Sequence, residues 1–179
     1  MNILIIIGAV VFALFVIVVG FYNSFVRLRN KVSEAFSTMD VFLKKRYDLI
    51  PELVAVVKGY AKHETDVLTE VTAMRARAKG KAGQLEGEVG IGRALEQLFV
   101  VAEAYPDLKA NENFLNLQKD LKKIEDDIAF ARRYYNGSVR EYNNQCQLFP
   151  MNIMAKILGF RPAPMFAAGK AEREAPQVF

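Results

Sequence analysis

The sequence predicts an all-α protein, a single N-terminal transmembrane helix followed by an antiparallel, four-helix bundle. Three observations carry this. The first 22 residues contain no charged side chain. Beyond them, apolar residues recur three and four apart over long stretches, the spacing of one helix face. No segment alternates with period two for long enough to form a strand. The chain has 179 residues, 24 of them Lys or Arg and 20 Asp or Glu. Those charges fall entirely behind the apolar front, which leaves an ordinary soluble composition for one domain with a real core. A long disordered chain, a disulfide-stapled miniprotein and a multispanning membrane protein are excluded.

The first element is the uncharged run from Ile3 to Tyr22. At 1.5 Å per residue it reaches about 30 Å, the thickness of a bilayer's hydrocarbon core. A cleaved signal peptide needs a positive start, a shorter apolar run and small residues at its end. Here the run is longer and Phe21, Tyr22 and Asn23 follow, so the segment reads as a retained anchor. Arg27, Arg29, Lys31, Lys44, Lys45 and Arg46 come next, against only Glu34 and Asp40; their balance equals the whole net charge of +4. Residues 47–179 therefore sum to zero, and the pI near 9.1 describes a neutral domain behind a basic collar. Basic residues beside a span are held on the cytoplasmic side, which places the N-terminus outside and the domain in the cytoplasm. The collar also suits anionic lipid head groups. Nucleic acid is not expected as a partner, because the rest of the domain has no net charge to bind phosphates.

A long helix follows from Phe25, Leu28, Val32, Ala35, Met39, Phe42, Leu49, Leu53, Val56 and Tyr60, continuous with the anchor. Pro51 predicts a kink or break at Ile50, since it lacks a backbone donor and disfavours helix before it. Residues 59–66 offer a second break, with Thr65 as a cap for a helix carrying Val67, Val71, Met74 and Ala78. Residues 80–92 hold five of the eleven glycines and read as loop. Leu95, Leu98, Phe99 and Ala102 mark another helix, ended by Tyr105-Pro106. Asn111 caps the strongest stripe of all: Phe114, Leu117, Leu121, Ile124, Ile128, Ala131, Tyr135, Val139, Tyr142, Cys146 and Phe149, stopped by Pro150. Two helices of about 57 Å cover each other best when antiparallel, with the shorter helices alongside. A three-helix arrangement would leave long ends unburied. Met151, Met154, Ile157 and Leu158 share one face of a short segment, which reads equally as an interfacial or subunit contact or as a cap on the bundle core. The tail from Arg161 onward, with Pro162, Pro164 and Pro176, reads as extended. The domain plan is residues 1–23 as anchor, 24–149 as bundle and 150–179 as short segment and tail.

Chemistry is sparse. His63 and Cys146 are the only histidine and cysteine, too few for a zinc site, and no Glu-x-x-His pair of a di-iron bundle occurs. Cys146 on an apolar stripe reads as a buried, inert thiol. The run Glu125-Asp126-Asp127 reads as a solvated face, and Tyr134, Tyr135, Tyr142 and Phe149 as packing. The glycines of 80–92 lack the Lys-Ser/Thr ending of a phosphate loop. No catalytic residue, cofactor, metal or small-molecule substrate is expected.

SEAFSTMDVFLKKRYDLIPELVAVVKGYAKHE (33–64), EAYPDLKANENFLNLQKDL (103–121), RRYYNGSVREYNN (132–144), FPMNIMAKILGF (149–160) and the closing APQVF together resemble the LemA family, in order and over nearly the whole chain. Phe36 stands where members often have Trp, and Phe42 where a polar residue is common, which implies a more apolar helix face. The resemblance implies a LemA-type helical bundle on a single-pass protein of the bacterial inner (plasma) membrane, with no established catalytic residues to carry over. A magnetosome membrane protein similar to this family points to roles in organising membranes. The expected function is a scaffolding or interaction module that self-associates or meets other membrane proteins. The alternative is a lipid-binding or membrane-organising protein that uses the collar and residues 151–160.

Overall fold

The computed structural model describes residues 2–78 and 84–166. They form six helices in the order α1 Asn2–Tyr60, α2 Thr65–Ala78, α3 Gln84–Glu103, α4 Pro106–Lys109, α5 Glu112–Gln147 and α6 Met151–Leu158, with no strand among the described residues. The all-α expectation holds. The front of α1 is long and apolar enough to cross a membrane, and its large side chains from Ile3 to Val19 are exposed.

The chain divides into two compact units. One comprises residues up to Met39 together with Ala131–Met165; the other is built on Asp40–Phe130.

In the first unit α1 and α5 run antiparallel. Ser24 pairs with Gln145 (2.8 Å), Lys31 with Glu141 (2.6 Å) and Phe36 with Tyr135 (ring centroids 5.8 Å apart), so positions rise along α1 as they fall along α5. Phe25, Tyr142, Cys146 and Ala155 form the buried core, with Leu28, Val32, Met151, Met154, Phe160 and Ala163 packed on it. Gly159 ends α6 in the left-handed conformation (φ +76°), where glycine carries no Cβ clash. Residues 160–166 then run without regular structure, as expected of the Pro-containing tail, and residues 160–165 form a strap along the C-terminal part of α5. The Asn143 side chain donates to the Ala163 carbonyl (2.9 Å) and accepts from the Ala163 amide (2.8 Å). The Tyr135 hydroxyl donates to the Pro164 carbonyl (2.9 Å). The remainder of the expected tail, 167–179, lies outside the described residues.

The second unit is a four-helix bundle made of the C-terminal part of α1, α2, α3 and the N-terminal part of α5. Its interior draws on Leu43, Ile50, Leu53 and Val57 from α1, Val71 from α2, Ile91 and Leu98 from α3, and Phe114, Leu121 and Ile128 from α5. Asn111 caps α5 as expected: its Oδ1 accepts the Phe114 amide at 3.0 Å, satisfying one of the helix's orphan donors.

Four expectations need correction. Pro51 neither breaks nor ends α1, which runs to Tyr60; the break falls at residues 61–64, inside the second break expected at 59–66. The carbonyl that Pro51 leaves without its i+4 donor is that of Tyr47, and Arg75 from α2 supplies the missing N–H at 2.7 Å. Thr65 is the first residue of α2 rather than its cap; the Leu68 amide bonds the Glu64 carbonyl. Residues 84–92 are helix, not loop, because α3 starts at Gln84; residues 79–83 lie outside the described residues. Finally, the buried face of α1 in this unit is Leu43, Arg46, Tyr47, Ile50, Leu53 and Val57: Leu53 is buried as expected, but the expected Phe42, Leu49 and Val56 are only half-buried and Tyr60 is exposed.

Candidate functional site

Two places concentrate features beyond packing, one in each unit.

In the first unit α6 is amphipathic. Met151, Met154 and Ala155 turn into the core, which is the capping role, while Ile153 and Ile157 are exposed, Ile157 at 71%. Leu148 and Phe149 at the α5–α6 corner are also exposed, Phe149 at 79%; Phe149 is therefore not the core residue its spacing predicts. Leu158 is half-buried. Gln145 lies level with Ser24, and α5 runs opposite to α1. At 1.5 Å per residue, Leu148 lies about 4–5 Å further toward the apolar end of α1. Leu148 and its neighbour Phe149 thus sit beside the last turn of the apolar run, where Tyr22 and Phe160 also meet (5.9 Å).

The same unit holds a cleft of about 480 Å³ between α1, α5 and the strap. Arg29, Ser33, Tyr142, Phe160 and Arg161 are among the residues lining it, and no acidic side chain among the described residues does so. Both arginines are exposed, and neither forms a salt bridge among the described residues. Phe160 stacks on Phe25 at 4.8 Å. Burial, aided by Cys146, holds the Tyr142 phenol above its ordinary pKa, with Arg29 pulling the other way. Burial also pushes up the Cys146 thiol, so it stays protonated and a poor nucleophile.

In the second unit the bundle encloses a charged pair, Arg46 and Glu88, which reaches the surface at the half-exposed Glu125. Arg46 is 1% exposed and Glu88 2%. The Arg46 guanidinium donates to Glu88 and, at 2.8 Å, to Glu125, while the Tyr47 hydroxyl donates to Glu88. Burial works against the Arg46 charge, and the two carboxylates more than offset it, so its pKa lies above the usual value. Burial, then the bond to Glu88, raises Tyr47 as well. Each charge is met by a partner of opposite sign, the condition under which buried ions are tolerated.

The six collar residues are therefore not one surface. Arg27 and Arg29 are exposed and Lys31 pairs with Glu141, all in the unit that carries the apolar run. Lys44, Lys45 and Arg46 belong to the other unit, more than about 20 residues past Tyr22 and outside the stretch that governs orientation. Lys44 and Lys45 are exposed, with Lys45 over the Phe42 ring at 5.5 Å, and Arg46 is buried. Glu125 is half-exposed, in keeping with a solvated face, and also pairs with Arg46. Arg75 and Glu88 went unnoticed in the sequence; Tyr47 reads there only as a packed aromatic, and Arg161 only as the start of the tail. A signal existed for Arg46 and Tyr47, which lie three and four residues past Leu43 and before Ile50 on the buried face. None marked Glu88 or Arg161, whose partners are distant along the chain. Among the described residues no group of three His, Cys, Asp or Glu is placed to hold a metal.

A family model described as the LemA family matches residues 35–179. The chain is 26% identical to Magnetosome protein MamQ 2 of Paramagnetospirillum magneticum, over 88% of its own length and 70% of that protein's. It is also 26% identical to Protein LemA of Metamycoplasma hominis, over 87% of its own length and 73% of that protein's. Magnetosome protein MamQ of Magnetospirillum gryphiswaldense is 24% identical over the same shares as the first.

Proposed function

We propose that this chain, which belongs to the LemA family, is a single-pass membrane protein whose helical domain works by contact at the cytoplasmic surface, without catalysis. The observation that carries this is the set of exposed apolar side chains Leu148, Phe149, Ile153 and Ile157 around the α5–α6 corner, whose Leu148 stands level with the end of the apolar run. Large apolar side chains at that level gain by entering the lipid interface, as an interfacial amphipathic helix does. Arg27 and Arg29 just past the span support the inside orientation. The likeness to magnetosome proteins supports the same membrane-associated reading. The enclosed cluster of the second unit offers no counter-argument, since its charges are spent on one another.

A second reading, scaffolding of other proteins or of further copies, is favoured by Val41, Val100, Leu115 and Phe130, which stay exposed on the bundle unit. In-cell crosslinking of native membranes, read by mass spectrometry, tests both. Replacing Ile153 and Ile157 with Ser should abolish labelling of α6 by a lipid-phase photoprobe while protein crosslinks from the bundle unit persist. Unchanged labelling would sink the lipid contact, and a strictly monomeric species with no crosslinked partner would sink the scaffold. A phosphatase fusion at the C-terminus that is active outside the cell would overturn the orientation.

A further inference from the structure

We propose that the cleft between α1, α5 and the strap is a binding site for the phosphate of an anionic phospholipid, held by Arg29 and Arg161 with the acyl chains leaving along Phe160. Charge comes first. Among the described residues the lining carries two guanidinium groups and no carboxylate, and neither arginine is neutralised by a salt bridge. Guanidinium is the side chain best matched to phosphate oxygens, through paired N–H donors, and Ser33 and Tyr142 add hydroxyls on the same lining.

Position comes second. Arg29 lies seven residues past Tyr22, about 10 Å along α1, and side chains on a helix lean toward its N-terminus, here toward the bilayer. Head groups occupy about 5–8 Å beyond the hydrocarbon core, so this guanidinium reaches phosphate depth. The apolar wall comes third. Phe160 lines the cleft, stacks on Phe25 and touches Tyr22, giving an aromatic path from the cleft to the end of the span. A free phosphate ester would satisfy the arginines but would have no use for that path.

The strap is what makes this a site rather than a charged surface. Arg161 comes from a segment far along the chain, and Asn143 and Tyr135 hold that segment on α5. The site rests on the membrane-surface reading only through the anchor. It depends neither on orientation nor on scaffolding nor on the apolar corner.

The test is native mass spectrometry of the full chain in detergent, titrated with phosphatidylglycerol or phosphatidylcholine. One phosphatidylglycerol should be retained in preference to phosphatidylcholine. Arg29→Gln and Arg161→Gln should each weaken it ~10-fold, the scale of losing a charge-assisted hydrogen bond. Arg27→Gln and Arg140→Gln remove the same charge from exposed positions that do not line the cleft, and should leave binding unchanged. Equal loss in all four variants, or none in the first two, would overturn the site. So would displacement of the lipid by glycerol phosphate at equal concentration, which would assign the cleft to a free phosphate ester. The Ile153 and Ile157 variants should retain the lipid, so the apolar corner can fail without this inference failing, and the reverse.

Discussion

The Arg75 side chain donates its Nε–H to the backbone carbonyl of Tyr47, the acceptor that Pro51 cannot serve. A proline inside a helix deletes the hydrogen bond to the residue four positions back, and here α2 replaces it from outside. The interior proline of α1 is thereby tolerated. Arg75→Leu should cost about 1.5–3 kcal/mol, the range for a bond to a charged donor. In a Pro51→Ala background, where residue 51 has its own N–H, the same change should cost much less. A double-mutant cycle by thermal unfolding reads the difference, and equal costs in the two backgrounds would refute the compensation.

The Arg46–Glu88 pair makes a complementary prediction. Glu88→Ala leaves a guanidinium buried with only Glu125 to balance it, and should destabilise by about 3–5 kcal/mol. Replacing both residues together, Arg46→Met with Glu88→Leu, should recover most of the part due to the unbalanced charge, since apolar groups of similar volume need no partner, while the Tyr47 hydroxyl loses its acceptor in both variants. Denaturant midpoints of the two variants provide the check. A double variant no better than the single one would mean that the pair is needed for more than charge balance.

The buried phenols make the protein sensitive to alkali. Tyr47, Tyr135 and Tyr142 are all held above their ordinary pKa, burial being the first cause in each. A raised folded-state pKa means that the unfolded chain loses its protons first, near pH ~10. Stability from these groups is intact below that pH and drains away as pH rises through the folded pKa. The unfolding midpoint should therefore fall above pH ~10, and less steeply in Tyr142→Phe. Phenolate absorbance of the native protein should lag that of the denatured chain; coincident curves would count against it.

Glycines inside helices separate into two kinds. A Cβ on Gly92, in the middle of α3, meets nothing within 4 Å. Gly92→Ala should stabilise by about 0.5–1 kcal/mol through helix propensity alone. Gly159 has open space too, but its φ of +76° strains any L side chain. Gly159→Ala should destabilise by about 1 kcal/mol. Thermal midpoints moving in the same direction would contradict this.

The strap depends on one side chain. Asn143→Ala removes both bonds to Ala163, and should raise hydrogen exchange at the Ala163 amide by about 10-fold or more while α5 stays protected. Unchanged exchange would mean that packing of Phe160 on Phe25 suffices to hold the segment.

Much of this architecture was readable from residue order. The uncharged front announces its helix by length, the stripe from Phe114 to Cys146 announces α5 by period, and Asn111 announces where α5 starts. The reading slipped wherever a side chain's local character conflicts with its distant partner. Arg46 looks like collar because it follows two lysines, yet it lies buried beside Glu88, and around it the expected Phe42, Leu49 and Val56 give way to Leu43, Ile50 and Val57, while Leu53 is buried as expected. Pro51 looks like a break because Arg75 is invisible at that point of the chain. Of the glycines, Gly90 looks like loop, although its missing side chain serves a helix contact: a Cβ there would lie 2.9 Å from Met74 Sδ. Phe149 keeps the core spacing but falls one turn past the end of the core.

What the sequence by itself determined is the helical class, the apolar front, the strong final stripe and the capped start of that stripe. These depend on periodicity, composition and neighbours within a few positions, and such interactions are local. Only the tertiary structure decided which charges are buried, which proline is harmless, and that Arg161 shares a cleft with Arg29. Those outcomes turn on pairs far apart along the chain, whose electrostatic and hydrogen-bonding free energy appears only when folding removes water from between them.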